Sequence, residues 1–372
     1  MLRIGIVGLG NAASMILPAL RGSPHATLGG AADLRSEART RLAESHDVPA
    51  FASIGDLLRA EIDAVWIATP NQFHAEQAVA AAKMGKHIIC EKPMAMSLSE
   101  CDRMIEAADA NKVKLLLGHS KLMQAPILKM REVVESGVIG DVLQIATWNY
   151  NDWLQRPRLA AEVDTSQGGG ICYRQAPHQV DIVRYIMGRP ARSIRAVVNR
   201  ADPRFPTEGN FTALLTFEAG RAASLVYNAY GYFDGAELTW GIGEGGRKQV
   251  PRYGRKRVTG PVPPEVRYGR RDPPSGERHQ PIYGLTIATC ERGVVRQSPD
   301  GVFVYDESGC REVPCEPEER AIHRDVAELA ASIAENRAPF PDGHWGKATL
   351  EVCLALIESA RSAREIPLVN QS

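Results

Sequence analysis

No sign of charge dominates this 372-residue chain: Lys plus Arg and Asp plus Glu each number 44. Without a basic excess there is no electrostatic case for nucleic acid or an anionic membrane surface as partner. Aromatic residues make up only 6%, and no uncharged apolar run nears the roughly 20 residues that a membrane-spanning helix requires. No basic-then-apolar leader precedes Ile4, so a secreted product is not expected. The seven cysteines, at 90, 101, 172, 290, 310, 315 and 353, are scattered, odd in number and without paired metal spacing. Neither a disulfide framework nor a metal site is expected, and a reducing cytoplasm is the simplest home.

What is present begins at the N-terminus. The stretch Ile-Gly-Ile-Val-Gly-Leu-Gly-Asn-Ala-Ala from Ile4 to Ala13 sets a glycine-rich turn directly after a short apolar strand. Gly8 permits a tight turn, Gly10 leaves room for a pyrophosphate beside the Asn11 and Ala12 backbone, and Ala13 lets the next helix pack closely on the sheet. The positive end of that helix suits phosphate. The competing reading is an ordinary strand–helix turn. Its standing falls at Asp33, some 25 residues beyond Gly8, where a carboxylate can accept hydrogen bonds from the ribose hydroxyls of NAD and repel a 2′-phosphate. Arg35 and Arg39 follow and can pair with such a phosphate, so NADP stays open beside NAD.

The length suits two domains. Short apolar runs at 4–7, 26–32, 63–68, 87–90 and 113–117 read as strands, separated by helical spacing at 14–20, 37–46, 73–82 and 99–108. This pattern predicts a parallel sheet wound with helices, with Ser99 and Asp102 capping the last of them. From about Gly140 strands follow one another at 141–150, 193–199, 212–217, 222–230, 237–241, 294–297 and 301–306, with helices at 125–136, 178–186, 319–334 and 346–363. The fold class is α/β: a Rossmann dinucleotide-binding domain over 1–122, then an α/β domain with a large, mostly antiparallel open sheet over 123–372. Residues 247–278 carry ten Arg or Lys against three Asp or Glu and many prolines, which predicts a long surface excursion.

Candidate chemistry gathers where the parallel strands end, since ligands of open α/β sheets sit beyond those ends. Thr69, Pro70 and Asn71 would line the cofactor. His74 opens the next helix and approaches the same crevice, or serves as a cap or surface residue. One strand later, Glu91-Lys92-Pro93 fixes Lys92 just past a strand end. An ammonium there can hold a substrate hydroxyl and stabilise charge as its proton leaves; an ion pair or exposed lysine is the alternative.

These motifs, with Gly168-Gly169-Gly170 and His178-x-x-Asp181, resemble the glucose–fructose oxidoreductase, inositol dehydrogenase and rhizopine-catabolism family. The resemblance implies an NAD(P)-dependent dehydrogenase in which Lys92 and His178 flank the substrate, Asp33 reads the cofactor ribose, Glu91 and Lys92 border the cofactor, and Pro93 follows a cis bond. It also implies a homodimer or homotetramer built through the C-terminal sheet. Many members carry Asp where this chain has Arg174, a charge reversal that removes a polyol-orienting carboxylate and offers a guanidinium to clamp a substrate carboxylate. Pairing with Glu162 or Asp181 is the alternative for Arg174. With Asn149, Trp153 and the nearby Arg156 and Arg158, this stretch is similar to the 4,5-dihydroxyphthalate dehydrogenase branch. The implied substrate is a carboxylated cyclic dihydrodiol, its flat ring accepted near Trp148, Tyr150 and Trp153. A sugar, sugar-acid or inositol dehydrogenase and a non-catalytic dinucleotide-dependent sensor remain the alternatives.

Overall fold

The computed structural model describes residues 1–250, 260–263, 276–316 and 321–371. The chain divides into two compact units: Met1–Ser120 with Glu319–Leu350, and Lys121–Glu318 with Glu351–Ser372.

In the first unit, strands β1 (Leu2–Val7), β2 (Ala26–Ala32), β3 (Ala50–Phe51), β4 (Ala64–Ile67), β5 (His87–Glu91) and β6 (Leu115–Gly118) form one sheet in the order β3-β2-β1-β4-β5-β6. Every pairing is parallel. The connecting helices are α1 (Ala13–Leu20), α2 (Ser36–Ser45), α3 (Ile54–Arg59), α4 (His74–Lys83) and α5 (Leu98–Ala110). Apolar residues on both faces of β1 and β4 are buried, as a sheet covered on both sides requires. The expected cap at Ser99 and Asp102 lies two residues too late. Ser97, in extended conformation, accepts from the Glu100 amide at 3.3 Å while the Glu100 carboxylate accepts from the Ser97 amide at 3.2 Å, and Asp102 instead pairs with Lys347 at 2.6 Å.

The expected single division at 122/123 also differs from what is found, because the chain returns. Helix α9 (Ala321–Ala334) places Ile322, Val326 and Leu329 in the core that holds Ile4, Ile6, Ile16 and Trp66. Spacings of four and three put these residues on one helical face, and that apolar stripe finds its cover in the first unit.

The second unit contains α6 (Ala125–Glu135), β7 (Val142–Tyr150), α7 (Gly170–Arg174), α8 (Ala176–Met187), β8 (Ala191–Asn199), β9 (Asn210–Phe217), β10 (Ala222–Asn228), β11 (Leu285–Cys290), β12 (Gly293–Gln297), β13 (Gly301–Asp306), β14 (Gly309–Pro314) and β15 (Ile366–Pro367). They make a nine-stranded sheet in the order β14-β13-β12-β11-β7-β10-β9-β8-β15, antiparallel except for β7 beside β10. Helix α8 lies on one face, where Gln179 donates to Thr147 Oγ1 at 3.2 Å and to the Val226 carbonyl at 3.1 Å. The opposite face carries a row set by register across five strands, Leu285, Trp148, Val226, Thr212 and Val197.

Strands β11 and β14 were not anticipated, although β11 shows period-2 burial. The strand expected at 237–241 is a 3₁₀ turn, Gly235–Thr239, opened by the Asp234 carboxylate on the Ala236 amide at 3.0 Å and ended by Trp240 in the left-handed region. Most of the basic, proline-rich 247–278 segment lies outside the described residues.

Leu329→Ala should lower the thermal midpoint, since truncating a buried leucine costs about 2–5 kcal/mol. Hydrogen exchange should rise in the peptides spanning β1 and β4. Unchanged protection there would separate α9 from the first unit's core.

Candidate active site

The strand order of the first unit reverses between β1 and β4, which puts a crevice at the C-terminal ends of those strands. Gly8 follows β1 with φ of 95°, and a Cβ on it would lie 2.9 Å from the Ala68 carbonyl oxygen and 3.0 Å from Thr69 Cγ2. Only glycine therefore fits where the first loop meets the second, and the backbone is left open to close approach by a diphosphate. Gly10, Asn11 and Ala12 lead into α1, whose N-terminus at Ala12 carries no side-chain cap.

Asp33, at the end of β2, accepts from the Leu9 amide at 2.7 Å and from the Arg35 amide at 2.8 Å. The Arg35 guanidinium donates to both Asp33 oxygens, at 3.0 and 2.9 Å, and to the Leu9 carbonyl at 3.0 Å. Burial pushes the Asp33 carboxyl up, but the hydrogen bonds from Arg35 and Leu9 outweigh it and hold the group below its ordinary value. The carboxylate thus stays ionised and braces the glycine loop. Arg39 donates to the Asp33 and Leu34 carbonyls at 2.8 and 3.0 Å. Both arginines named as phosphate partners are accordingly gathered at the Asp33 turn.

At the ends of β4 and β5, Thr69 donates to Gln77 at 2.6 Å, Pro70 is extended, and Asn71 is buried. His74 is fully buried and not a surface residue: Nε2 lies 2.9 Å from the Thr69 carbonyl and Nδ1 3.0 Å from the Pro93 carbonyl. It ties together the two loops that carry Pro70 and Lys92. The Lys92–Pro93 bond is cis. Glu91 receives the Trp66 indole N–H at 3.2 Å, and burial raises its carboxyl despite the neighbouring Lys92 ammonium.

In the second unit the triple glycine is a packing device. Gly168 and Gly170 have φ of 74° and 77°, and a Cβ on Gly170 would come within 2.1 Å of Thr207 Oγ1. Glu208 accepts from the Cys172 amide at 3.0 Å and from the Thr165 and Thr207 hydroxyls at 2.6 and 3.1 Å, gripping the start of α7. No spacing in the sequence singles out Glu208.

Arg174, at the end of α7, lies 3.4 Å from Glu162, and Arg158 lies 3.8 Å from the same carboxylate. Trp153 is buried with the Arg158 guanidinium 4.2 Å above its ring, so that face already has an occupant. His178, in the first turn of α8, is buried and packs edge-to-face on Tyr283 with ring centroids 5.0 Å apart. Tyr283 and Tyr227 both donate to Gln175 Oε1, at 2.9 and 3.2 Å, and Asn151 bridges Tyr227 and Asn149 at 2.9 and 3.0 Å. Burial raises both phenols, which remain neutral donors. The structure thus joins Asn149 to the His178 turn through Asn151, Tyr227 and Gln175, while Trp153 and Arg174 form a second group through Arg158 and Glu162.

Trp148 alternates with Asn149 and projects from the other side of the sheet, while Tyr150, at the strand end, packs on Phe233 at a cavity that Asn149 also lines. Asn151 and Arg156 line the same cavity, of about 330 Å³, with Glu244, whose carboxyl Lys121 and then Arg156 hold down at about 2.

Residues 2–119 match the model of an oxidoreductase family with an NAD-binding Rossmann fold, and residues 127–242 match the GFO/IDH/MocA C-terminal domain. The chain belongs to the GFO/IDH/MocA family and is an NAD-binding dehydrogenase. It is 32% identical to 1-carboxy-3-chloro-3,4-dihydroxycyclohexa-1,5-diene dehydrogenase of Comamonas testosteroni over 97% of this chain and 95% of that one. A crystal structure from Bordetella bronchiseptica, described as that of a dehydrogenase, is 39% identical with a TM-score of 0.92, covering 98% of this chain and 99% of that chain. Levoglucosan dehydrogenase in complex with NADH and levoglucosan shares the fold, with a TM-score of 0.78 at 19% identity over 99% of each chain.

Asp33→Ala should weaken NAD binding and narrow the gap to NADP by about 1–3 kcal/mol, the cost of a lost hydrogen bond to a charged group. A fluorescence titration with both cofactors measures it. Because the Asp33 carboxyl sits below its unfolded value, its contribution is present above that value and lost as pH falls through the lower folded one. Equal NAD affinity in the variant would remove Asp33 from ribose recognition.

Proposed function

We propose that the protein oxidises a carboxylated cyclic dihydrodiol, of the kind represented by the cis-4,5-dihydrodiol of phthalate, to a catechol. The observation that carries this reading is the convergence of Arg158 and Arg174 on the single carboxylate of Glu162. Both guanidiniums stand at one place in the second unit, and a planar guanidinium fork matches a substrate carboxylate. The Comamonas relative, whose name specifies a carboxylated dihydroxycyclohexadiene, supports the same substrate class.

Lys92 and His178 are the catalytic residues in this reading. When bound, NAD⁺ supplies the hydride acceptor. Lys92 holds the reacting hydroxyl oxygen and stabilises the charge that develops there, while the His178 imidazole takes its proton as the carbonyl forms. The hydroxy-enone tautomerises to the catechol without a further redox step. Edge-to-face packing on Tyr283 orients the His178 ring. A second reading, oxidation of a neutral sugar or inositol, is favoured by the amide and hydroxyl groups of Asn149, Asn151, Gln175 and Tyr227, which suit a polyol.

Lys92→Met and His178→Asn should each depress turnover about 10²–10⁴-fold with cofactor affinity preserved. Arg174→Met, assayed by NAD reduction, should penalise carboxylated dihydrodiols over neutral cyclitols by at least about 2 kcal/mol. Unchanged selectivity would sink the carboxylate clamp, and turnover of neutral polyols alone would transfer the protein to the second reading.

We also propose a homo-oligomer built on the open face of the nine-stranded sheet. Trp148 is 42% exposed there, and exposed Leu214 and Val197 lie on the same face two and three strands away, a face that a second copy would cover. Trp148→Lys should reduce the mass measured by light scattering to that of one chain. A parent protein that is already monomeric would refute the assembly.

A further inference from the structure

Asp325, on α9, is 1% exposed, and neither of its carboxyl oxygens has a hydrogen-bond partner among the described residues. A buried carboxylate in that condition pays a desolvation cost of several kcal/mol with no bond in return. The groups that act on it electrostatically are Glu91, at the end of β5, and Arg324 on its own helix. Glu91 in turn feels Lys92, the next residue in the chain, and His119 beyond β6, and it holds the Trp66 indole N–H at 3.2 Å. Gly118 leaves the space for it: a Cβ there would stand 3.2 Å from Glu91 Oε1. Asp325 is buried and Glu91 half-buried, and a negative charge on Glu91 opposes ionisation of Asp325 in that low-dielectric surrounding.

We propose that Asp325 and Glu91 form an internal carboxyl pair that keeps a proton behind Lys92, with Asp325 the neutral member, so that one negative charge and not two faces the lysine ammonium. A neutral Asp325 then adds no charge beside Lys92, and Glu91 carries the one that does. Burial, then the Glu91 charge, raises the Asp325 carboxyl well above its ordinary value, and the Arg324 guanidinium does not reverse this. The significance for turnover rests on the reading of Lys92 as substrate-facing, whereas the pair itself is open to test without a substrate.

Three measurements on the full chain decide it. Infrared spectra of the unaltered protein at pH 8 should retain a protonated-carboxyl C=O band, since exposed acids are ionised there, and Asp325→Asn should remove it. The thermal midpoint of Asp325→Asn relative to the parent should rise by about 2 °C or more from pH 5 to pH 9. The sign follows from linkage: a carboxyl raised in the folded state stabilises it fully below the unfolded value near 4, and that stability is lost as pH rises toward the folded value, whereas an amide does not titrate. Finally, ¹³C-reductive methylation should show the Lys92 titration unmoved by Asp325→Asn and lowered by about one unit by Glu91→Gln. No acid band at pH 8, a midpoint offset independent of pH, or equal lysine shifts in both variants would each overturn the pair. All three results can stand even where Lys92→Met leaves turnover intact, so failure of the catalytic reading is distinguishable from failure of the pair.

Discussion

The first unit's ligand crevice depends on one charge-assisted hydrogen bond, from the Leu9 amide to the Asp33 carboxylate at 2.7 Å. The glycine loop that leaves β1 has little side-chain packing to hold it, because its function requires exposed backbone. A carboxylate from the end of the neighbouring strand supplies the restraint. Such bonds to an ionised acceptor are about twice as strong as neutral ones. Burial alone would favour the protonated acid, and protonation would weaken the restraint. Arg35 opposes that outcome by donating to both oxygens. A residue that reads ribose hydroxyls in related folds is here also part of the loop's own support.

The second unit uses the same device. Gly168 and Gly170 adopt left-handed backbone, and the Glu208 carboxylate grips the Cys172 amide at the start of α7. Both candidate sites therefore combine a backbone too crowded for a Cβ with a carboxylate that anchors an amide one or two residues later. In the second unit the anchor lies far along the chain, on the approach to β9, so the position of Arg174 and His178 depends on long-range packing. Gln175 adds a further restraint, receiving two buried phenolic hydroxyls at the junction of α7 and α8. That network is satisfied throughout by neutral donors and acceptors, which makes it rigid without the cost of a buried charge.

Much of this was legible in the sequence, and the reason is local. Gly8, Asp33 and the Pro70 and Pro93 turns follow from backbone requirements within a few residues, so the parallel sheet and its crevice could be read from pattern. The strands around 142–150, 191–199, 210–217 and 222–228 were near their expected places because alternation of burial has a fixed period. What could not be read depends on contacts between distant segments. The return of α9 to the first unit, the tie made by His74, and Glu208 all join residues whose individual surroundings in the sequence are ordinary. The 3₁₀ turn at Gly235–Thr239 was missed for a different reason: the Asp234 side chain competes with a strand ladder for the backbone.

The charges at the candidate site suggest how selectivity would arise. Among the described residues, four cations have a carboxylate close by in their own unit: Lys92 has Glu91 as its chain neighbour in the first, while in the second Arg174 has Glu162, and Lys121 and Arg156 have Glu244. These pairs lower the cost of holding positive charge in a partly buried place, but they also compete with a ligand. A substrate carboxylate must therefore offer Arg174 a better bond than Glu162 does at 3.4 Å. That distance is at the long end for a charge-assisted contact, so the existing pair is a modest competitor. Arg158 remains within 3.8 Å of Glu162, so a guanidinium drawn toward substrate does not leave that carboxylate without a cation nearby. On the proposed reading Arg174 exchanges one ionic partner for another, and discrimination between an anionic ring and a neutral polyol would come from the difference between those two pairings.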